Sequence, residues 1–273
     1  MAHLKDFGKV YEVQKKMIDF ALQLNWDYCL INAEWDHQIG YAKAKWIGLF
    51  LWYNSAGSWN RTPQMPRDKR LTKEGRRNEF ALLKKMVIVG IKANFFAGDG
   101  QFMLSYYEVI LEDEAQFGLM VNCYGVTLPQ GLLRTYPKLI TAEAVKGFEN
   151  VVAAQYNAAR LPIICCILLF TRNLFDPMDY TPTCFQELPS VKRRTSNVFE
   201  LTLAILFQSG IQPFVELPEG LAFVPTYVKE FLREVPANWE DICFIDSSPG
   251  QYFVLARGPG SSWHVAGINA LKT

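Results

Sequence analysis

The chain alternates between two hydrophobic periods. Residues 8–24 place Val10, Val13, Met17, Ile18, Phe20, Ala21 and Leu24 at roughly helical spacing, which predicts an amphipathic helix. Compact apolar runs follow at 28–31, 47–53, 87–91, 119–123, 139–141 and 162–170, each of strand length. Between them lie a short amphipathic piece after Asp36, a polar loop over 57–70 with Pro63 and Pro66, and helical patterns over 72–85 and 102–117. Thr72 is a plausible N-cap for the first of these helices, and Gly118 closes the second. Helices are also predicted over 198–208, closed by Gly210, and over 227–233. Strands alternating with helices point to a parallel α/β sheet or barrel. The end of the chain differs. Runs at 242–245, 252–256 and 263–268 are joined by Ser247-Ser248-Pro249-Gly250 and Gly258-Pro259-Gly260-Ser261, which reads as an antiparallel meander.

The 273 residues are half hydrophobic, enough for one large domain or two small ones. A formal net charge of +1 gives no electrostatic case for nucleic acid or an acidic membrane surface. No apolar run reaches about 18 residues, so no membrane span is expected. Met1 to Tyr11 is polar and charged, unlike a signal peptide. The six cysteines form no C-x-x-C pair, and with only three histidines a structural zinc site is not expected. Buried free thiols suit their apolar surroundings better than disulfides.

Polar residues recur where strands should end: Asn32 and Glu34; Asn54; Lys92, Asn94 and Asp99; Asn122 and Tyr124; Glu143 and Glu149; Arg172 and Asp179. In parallel α/β folds chemistry collects at the C-terminal ends of strands. Trp35, Trp52, Tyr53, Trp59, Phe95 and Phe96 lie among them. A carboxylate-bearing cup with aromatic walls suits a sugar, which shows both hydroxyl edges and apolar C–H faces. Each residue also has a plain reading: Glu143 and Glu149 as solvated charges, Asp179 as a turn former, the Trp residues as core. Repetition at equivalent positions raises the functional reading. No G-x-S-x-G, P-loop, H-E-x-x-H or dinucleotide fingerprint competes with it.

The segments Tyr28–Asp36, Leu51–Ser55, Gly90–Gln101, Leu128–Gly131, Arg134–Pro137, Glu143–Glu149, Phe170–Asn173 and Pro177–Pro182 together resemble glycoside hydrolase family 97, over nearly the whole chain and in order. That family contains α-glucosidases and α-galactosidases, typically periplasmic or secreted. The resemblance implies a TIM-type (β/α)8 barrel over residues 1–235, incomplete at its N-terminus, and part of an antiparallel C-terminal β unit over 236–273. It also implies an α-glycoside or oligosaccharide substrate and a calcium ion beside the sugar. Retaining members carry a nucleophilic Asp two residues after a Lys. Here Lys92 matches the Lys, and Asn94 stands in the nucleophile position. Glu149 matches the general acid/base. Glu143 matches a calcium ligand, with Glu149 a second contact to the metal. Lys92, Asp99, Trp52, Asn54, Asn122, Arg172 and Asp179 are the implied substrate-binding residues. Inverting members carry a base Glu after the fifth strand, and that position is Gly125, which puts the chain on the retaining side. It departs from the family at Asn32 and Asn94, where Asp is usual, and at Tyr124, where His is usual. Three readings follow: a glycosidase impaired by Asn94, a non-catalytic carbohydrate-binding relative, and a degenerate barrel.

Overall fold

The computed structural model describes residues 10–32, 36–258, 260 and 262–271. Glu34 and Trp35 lie outside the described residues. The chain divides at Ala144/Val145 into two compact units.

The first unit runs α1 (Tyr11–Gln23), β1 (Tyr28–Ile31), α2 (Asp36–Ala44), β2 (Gly48–Asn54), α3 (Lys73–Lys85), β3 (Gly90–Asn94), α4 (Gln101–Phe117), β4 (Met120–Cys123), α5 (Leu132–Thr135) and β5 (Leu139–Ala142). Its five strands are parallel and lie side by side in chain order. The ends of α3 and α4 have clear local causes. Thr72 caps α3 by accepting from the Gly75 N–H at 3.1 Å, as its sequence position predicts, and Lys84 and Lys85 sit in the last turn against the helix dipole. Gly118 ends α4 in the left-handed conformation (φ 72°), which a glycine adopts without cost.

The period of two along the strands sorts side chains onto two faces. Ile31, Leu51, Tyr53, Ile91, Ala93, Val121, Cys123 and Ala142 enter one apolar core with Ile18, Phe80, Leu83, Tyr106 and Ile110 from the helices. The opposite face starts apolar, with Phe50 and Met120, and becomes polar toward the strand ends. There it carries Trp52 and Asn54, Lys92 and Asn94, then Asn122, and Thr141.

The second unit holds a 3-10 turn (Phe148–Asn150), α6 (Gln155–Leu168), α7 (Arg172–Phe175), α8 (Asn197–Leu206), α9 (Pro218–Leu221), α10 (Thr226–Glu234), β6 (Asp241–Ser248), β7 (Tyr252–Gly258) and β8 (His264–Asn269). The last three strands form the expected antiparallel meander, in the order β6-β7-β8. Its inner residues Phe253, Leu255, Ala266 and Ile268 share a core with Leu161, Cys165, Leu203 and Leu206.

Three sequence expectations change. The run 162–170, expected as a strand, lies largely within α6, and Pro162 sits inside that helix. An apolar run without a dominant face fits a buried helix as well as a buried strand. The residues before it, Gln155 to Leu161, extend the helix and bury Ala158 and Leu161. The parallel sheet therefore has five strands among the described residues, which do not close a barrel. The second change is at α8, which ends at an extended Phe207, before Gly210. The stretch Gln155–Phe175 is long and apolar enough to cross a membrane by length and composition, contrary to the expectation for the apolar runs. Its helix α6 buries Leu161, Cys165, Cys166 and Leu168 in the core of its own unit, as a core helix does. All six cysteines are free, and Cys243 alone among them is exposed.

Candidate functional site

The polar face of the first unit brings together most of the expected residues at the C-terminal ends of β2 to β5. In the ladder Trp52 lies beside Lys92, Lys92 beside Asn122, and Asn54 beside Asn94. Asn54, Lys92, Asn122, Thr141 and Glu143 are buried, and Asn94 is half-buried.

Each side chain is held in a definite way. The Asn54 amide donates to Thr62 O (3.2 Å) and Gln64 O (2.9 Å), and its Oδ1 accepts from Ala56 N (3.0 Å). Asn54 thus staples the 56–64 loop. Asn94 Oδ1 accepts from the Phe95 N–H at 2.6 Å, with Phe95 in the left-handed region (φ 68°). Glu143 Oε2 accepts from the Gly125 N–H at 2.7 Å. Gly125 is itself left-handed (φ 59°), and a Cβ there would come within 2.8 Å of Asn94 Oδ1. Asn94, Gly125 and Glu143 therefore form a continuous seam across the ends of three strands, and a side chain at position 125 is excluded while Asn94 holds its place. The Lys92 ammonium lies 3.8 Å from the centroid of the Tyr124 ring. Trp52 meets Phe95 edge-on at 5.7 Å.

Behind this face the β2 end is anchored by buried charge. Arg70 donates to Ser55 Oγ, stacks 4.7 Å from the Tyr53 ring centroid and faces Glu114 at 3.9 Å. Tyr106 donates to Ser55 O at 3.1 Å. Burial pushes the Glu114 carboxyl well above the usual range, opposed by Arg70 and Arg76. Arg76 pairs with Asp113 at 2.9 Å.

The remaining expected residues fall elsewhere. Asp99 is exposed in the Gly98–Gly100 turn beyond β3. Glu149 is exposed on the 3-10 turn of the second unit. Arg172, expected after a strand, instead starts the short helix α7, where it donates to Asp176 O (3.0 Å) and Pro177 O (2.9 Å). Burial lowers its guanidinium to about 10. Asp179 is fully buried in an irregular segment.

That segment has a polar scaffold that the strand-end pattern missed. Residues 178–185 are all buried, and Thr181 (φ 56°) and Thr183 (φ 72°) are left-handed, a strained conformation for β-branched residues. Glu216 accepts from Phe185 N and Leu217 N, both at 2.7 Å. Glu200 accepts from Thr195 Oγ1, and burial pushes it up to about 7 against the pull of Thr195, Arg193 and the Cys184 and Thr183 backbone. A lone Glu within the apolar run of α8 was the available signal for Glu200.

For the calcium ion implied by the family resemblance, no three His, Cys, Asp or Glu side chains gather among the described residues in a metal-ligating group.

Known proteins share this fold and parts of this sequence. A family model described as glycoside hydrolase 97 matches residues 38–145. A probable retaining alpha-galactosidase of Streptomyces bingchenggensis is 30% identical across 97% of this chain and 42% of its own length. A retaining alpha-galactosidase of Bacteroides thetaiotaomicron is 26% identical across 96% of this chain and 39% of its own. The chain thus spans about two fifths of the length of these curated relatives. A solved beta-arabinopyranosidase superposes with a TM-score of 0.92 at 36% identity, covering 96% of this chain and 44% of that one. A glycoside hydrolase family 97 enzyme of Pseudoalteromonas, solved with panose, shares the fold at a TM-score of 0.78 and 22% identity, over 95% of this chain and 46% of its own. The family model thus falls on the strands that build the polar face, and the relatives align along nearly all of the chain, so that over residues 38–145 this chain is similar to glycoside hydrolase 97.

Proposed function

We propose that the chain carries the sugar site of a retaining α-glycosidase in which Asn94 occupies the nucleophile position. It then binds an α-glycoside but turns it over negligibly. The observation that carries this reading is the strand-end array of Trp52, Asn54, Lys92, Asn94 and Asn122, with Asn94 at the tip of β3. Retaining hydrolysis uses two carboxyl groups about 5–5.5 Å apart, one attacking the anomeric carbon and one donating and then accepting the proton. Asn94 offers an amide in place of the attacking carboxylate, so the covalent glycosyl ester cannot form on it. Its amide still hydrogen-bonds a hydroxyl. In this reading Lys92, Asn122 and Asp99 contact the sugar, and Glu149 as acid/base, with Arg172 and Asp179, keeps the role that the family resemblance implies.

Substrate class follows from relatives of two names. An α-D-galactoside and a β-L-arabinopyranoside share the stereochemistry of C1 to C4 and differ by one hydroxymethyl group. Both belong in the assay beside an α-glucoside. The second reading, a carbohydrate-binding relative without latent activity, is favoured by the same Asn94.

The substitution Asn94→Asp separates them. It is nearly isosteric and places a negative charge near Lys92. Release of nitrophenol from the three glycosides should rise from the blank rate by about 10³-fold or more, the scale on which removal of a covalent nucleophile acts. Glu149→Ala in the Asn94→Asp background should abolish the gain. A folded Asn94→Asp protein that stays at the blank rate while binding galactose makes the chain a binder, and one that does neither makes it degenerate. Calcium enters the proposal only as a weakly held ion at Glu143. Millimolar calcium against chelator should move Tm by less than about 1 °C, since stabilisation follows ligand concentration over Kd. A larger shift would reveal a formed site.

A further inference from the structure

Among the described residues of the first unit, Lys92 and Tyr124 make the closest contact between a cation and a ring. The Lys92 Nζ lies 3.8 Å from the ring centroid, and the two residues are 7% and 6% exposed. The backbone fixes both partners. Lys92 sits mid-ladder on β3 between Trp52 and Asn122, and the Tyr124 N–H donates to Ala93 O at 2.7 Å. The ring is thereby tied to the strand that carries the ammonium. A desolvated ammonium over an aromatic face is strongly attracted by the ring quadrupole. That attraction has no fixed hydrogen-bond direction, so it does not by itself fix where the N–H groups point.

We propose that Tyr124 is the positioning residue for Lys92, its ring holding the ammonium on the polar face beside Asn94, where it donates to a sugar hydroxyl. The sugar contact rests on the proposed function; the ring contact does not. The phenol hydroxyl plays no part in it. Tyr124→Phe should therefore be silent, whereas Tyr124→Met should release Lys92.

The test uses the full chain with 13Cε-labelled lysine and calorimetric titration with galactose. The Lys92 ε-methylene protons should be shifted upfield by the ring, keep that shift in Tyr124→Phe and lose it in Tyr124→Met. Galactose affinity should fall about ten-fold in Tyr124→Met, the scale of a buried cation–π contact. It should fall no further in Tyr124→Met with Lys92→Met than in Lys92→Met alone. Fluorinated phenylalanines installed at position 124 weaken the quadrupole while keeping the ring. They should lower affinity stepwise even if Tyr124→Met fails to fold. An unshifted lysine resonance, losses that multiply in the double variant, or affinity indifferent to fluorination would overturn the proposal. A ring-shifted Lys92 that responds to Tyr124→Met, in a chain that binds no galactose, would sustain the positioning role and sink the sugar reading instead.

Discussion

The two units hold their polar groups by opposite means. In the first, a regular parallel sheet does the placing: alternation sends Lys92, Asn94 and Asn122 to one face and Ile91, Ala93 and Val121 to the core. In the second, the eight buried residues 178–185 follow no repeating pattern, and buried carboxylates from elsewhere in the chain satisfy their backbone. In the first arrangement the ladder hydrogen bonds do not depend on the strand-tip side chains, and Asn54, Asn94 and Glu143 add only local contacts to the loop N–H groups beyond the strands. The second makes each supporting carboxylate part of the backbone's hydrogen bonding, where loss leaves a buried N–H without its acceptor.

The largest effect should come where the first unit departs from its own rule. Arg70 and Glu114 are 1% and 0% exposed and lie behind the sheet rather than at its tips. Arg70→Met leaves the Glu114 carboxyl buried without its cation and frees Ser55 from its donor. Breaking one side of a buried pair costs about 3–5 kcal/mol, so urea unfolding should shift to markedly lower concentration. A loss below about 1 kcal/mol would mean that Glu114 is protonated and content without Arg70.

The second unit supplies a pH-dependent counterpart. Glu200 has a folded-state pKa pushed up to about 7, from an ordinary value of 4.5. The folded protein thus keeps a proton that the unfolded chain releases. Its contribution favours folding below about pH 4.5 and is lost as the pH rises to about 7, above which it stays constant. The integrated change is up to about 3 kcal/mol, at about 1.4 kcal/mol for each pKa unit. Glu200→Gln should flatten that part of the stability profile and raise Tm at pH 8 relative to the parent. An unchanged slope between pH 4.5 and 7 would show that Glu200 is ionised in the fold.

The same contrast explains what could be read from the amino-acid order. The first unit was legible because a period of two or 3.6 is written into β2, β3, α3 and α4, and polar residues interrupt the apolar runs at the strand tips. Lys92, Asn94 and Asn122 were found that way. The second unit concealed its structure in α6, whose apolar run has no face to betray a helix, and Arg172 was misplaced with it. Glu216 was missed because its partners are backbone groups, and Glu200 because, besides Thr195 Oγ1, it serves the Cys184 and Thr183 backbone. Backbone groups carry no signal in the side-chain pattern. The Lys92–Tyr124 contact was hidden for a related reason: it joins adjacent strands 32 positions apart in the chain and needs the parallel register to bring it together.

The smallest expected effects give the most direct comparison, since among the described residues a helix in each unit is capped in the same way. Thr72 accepts from Gly75 N, and Ser196 accepts from Phe199 N, both at 3.1 Å. Replacing either by Ala should cost about 1 kcal/mol, because the orphan N–H of the first turn loses its acceptor. The local chemistry is the same, so any difference between the variants reports on the unit around the cap. If the whole chain unfolds as one cooperative body, Thr72→Ala and Ser196→Ala should lower a single transition by the same amount. If the units are separate foldons, hydrogen exchange will speed up in α3 and its neighbours for the first variant, and in α8 and its neighbours for the second. Equal acceleration everywhere in both variants would break the distinction between a sheet-ordered unit and a carboxylate-scaffolded one at the level of stability, leaving it a difference of architecture alone.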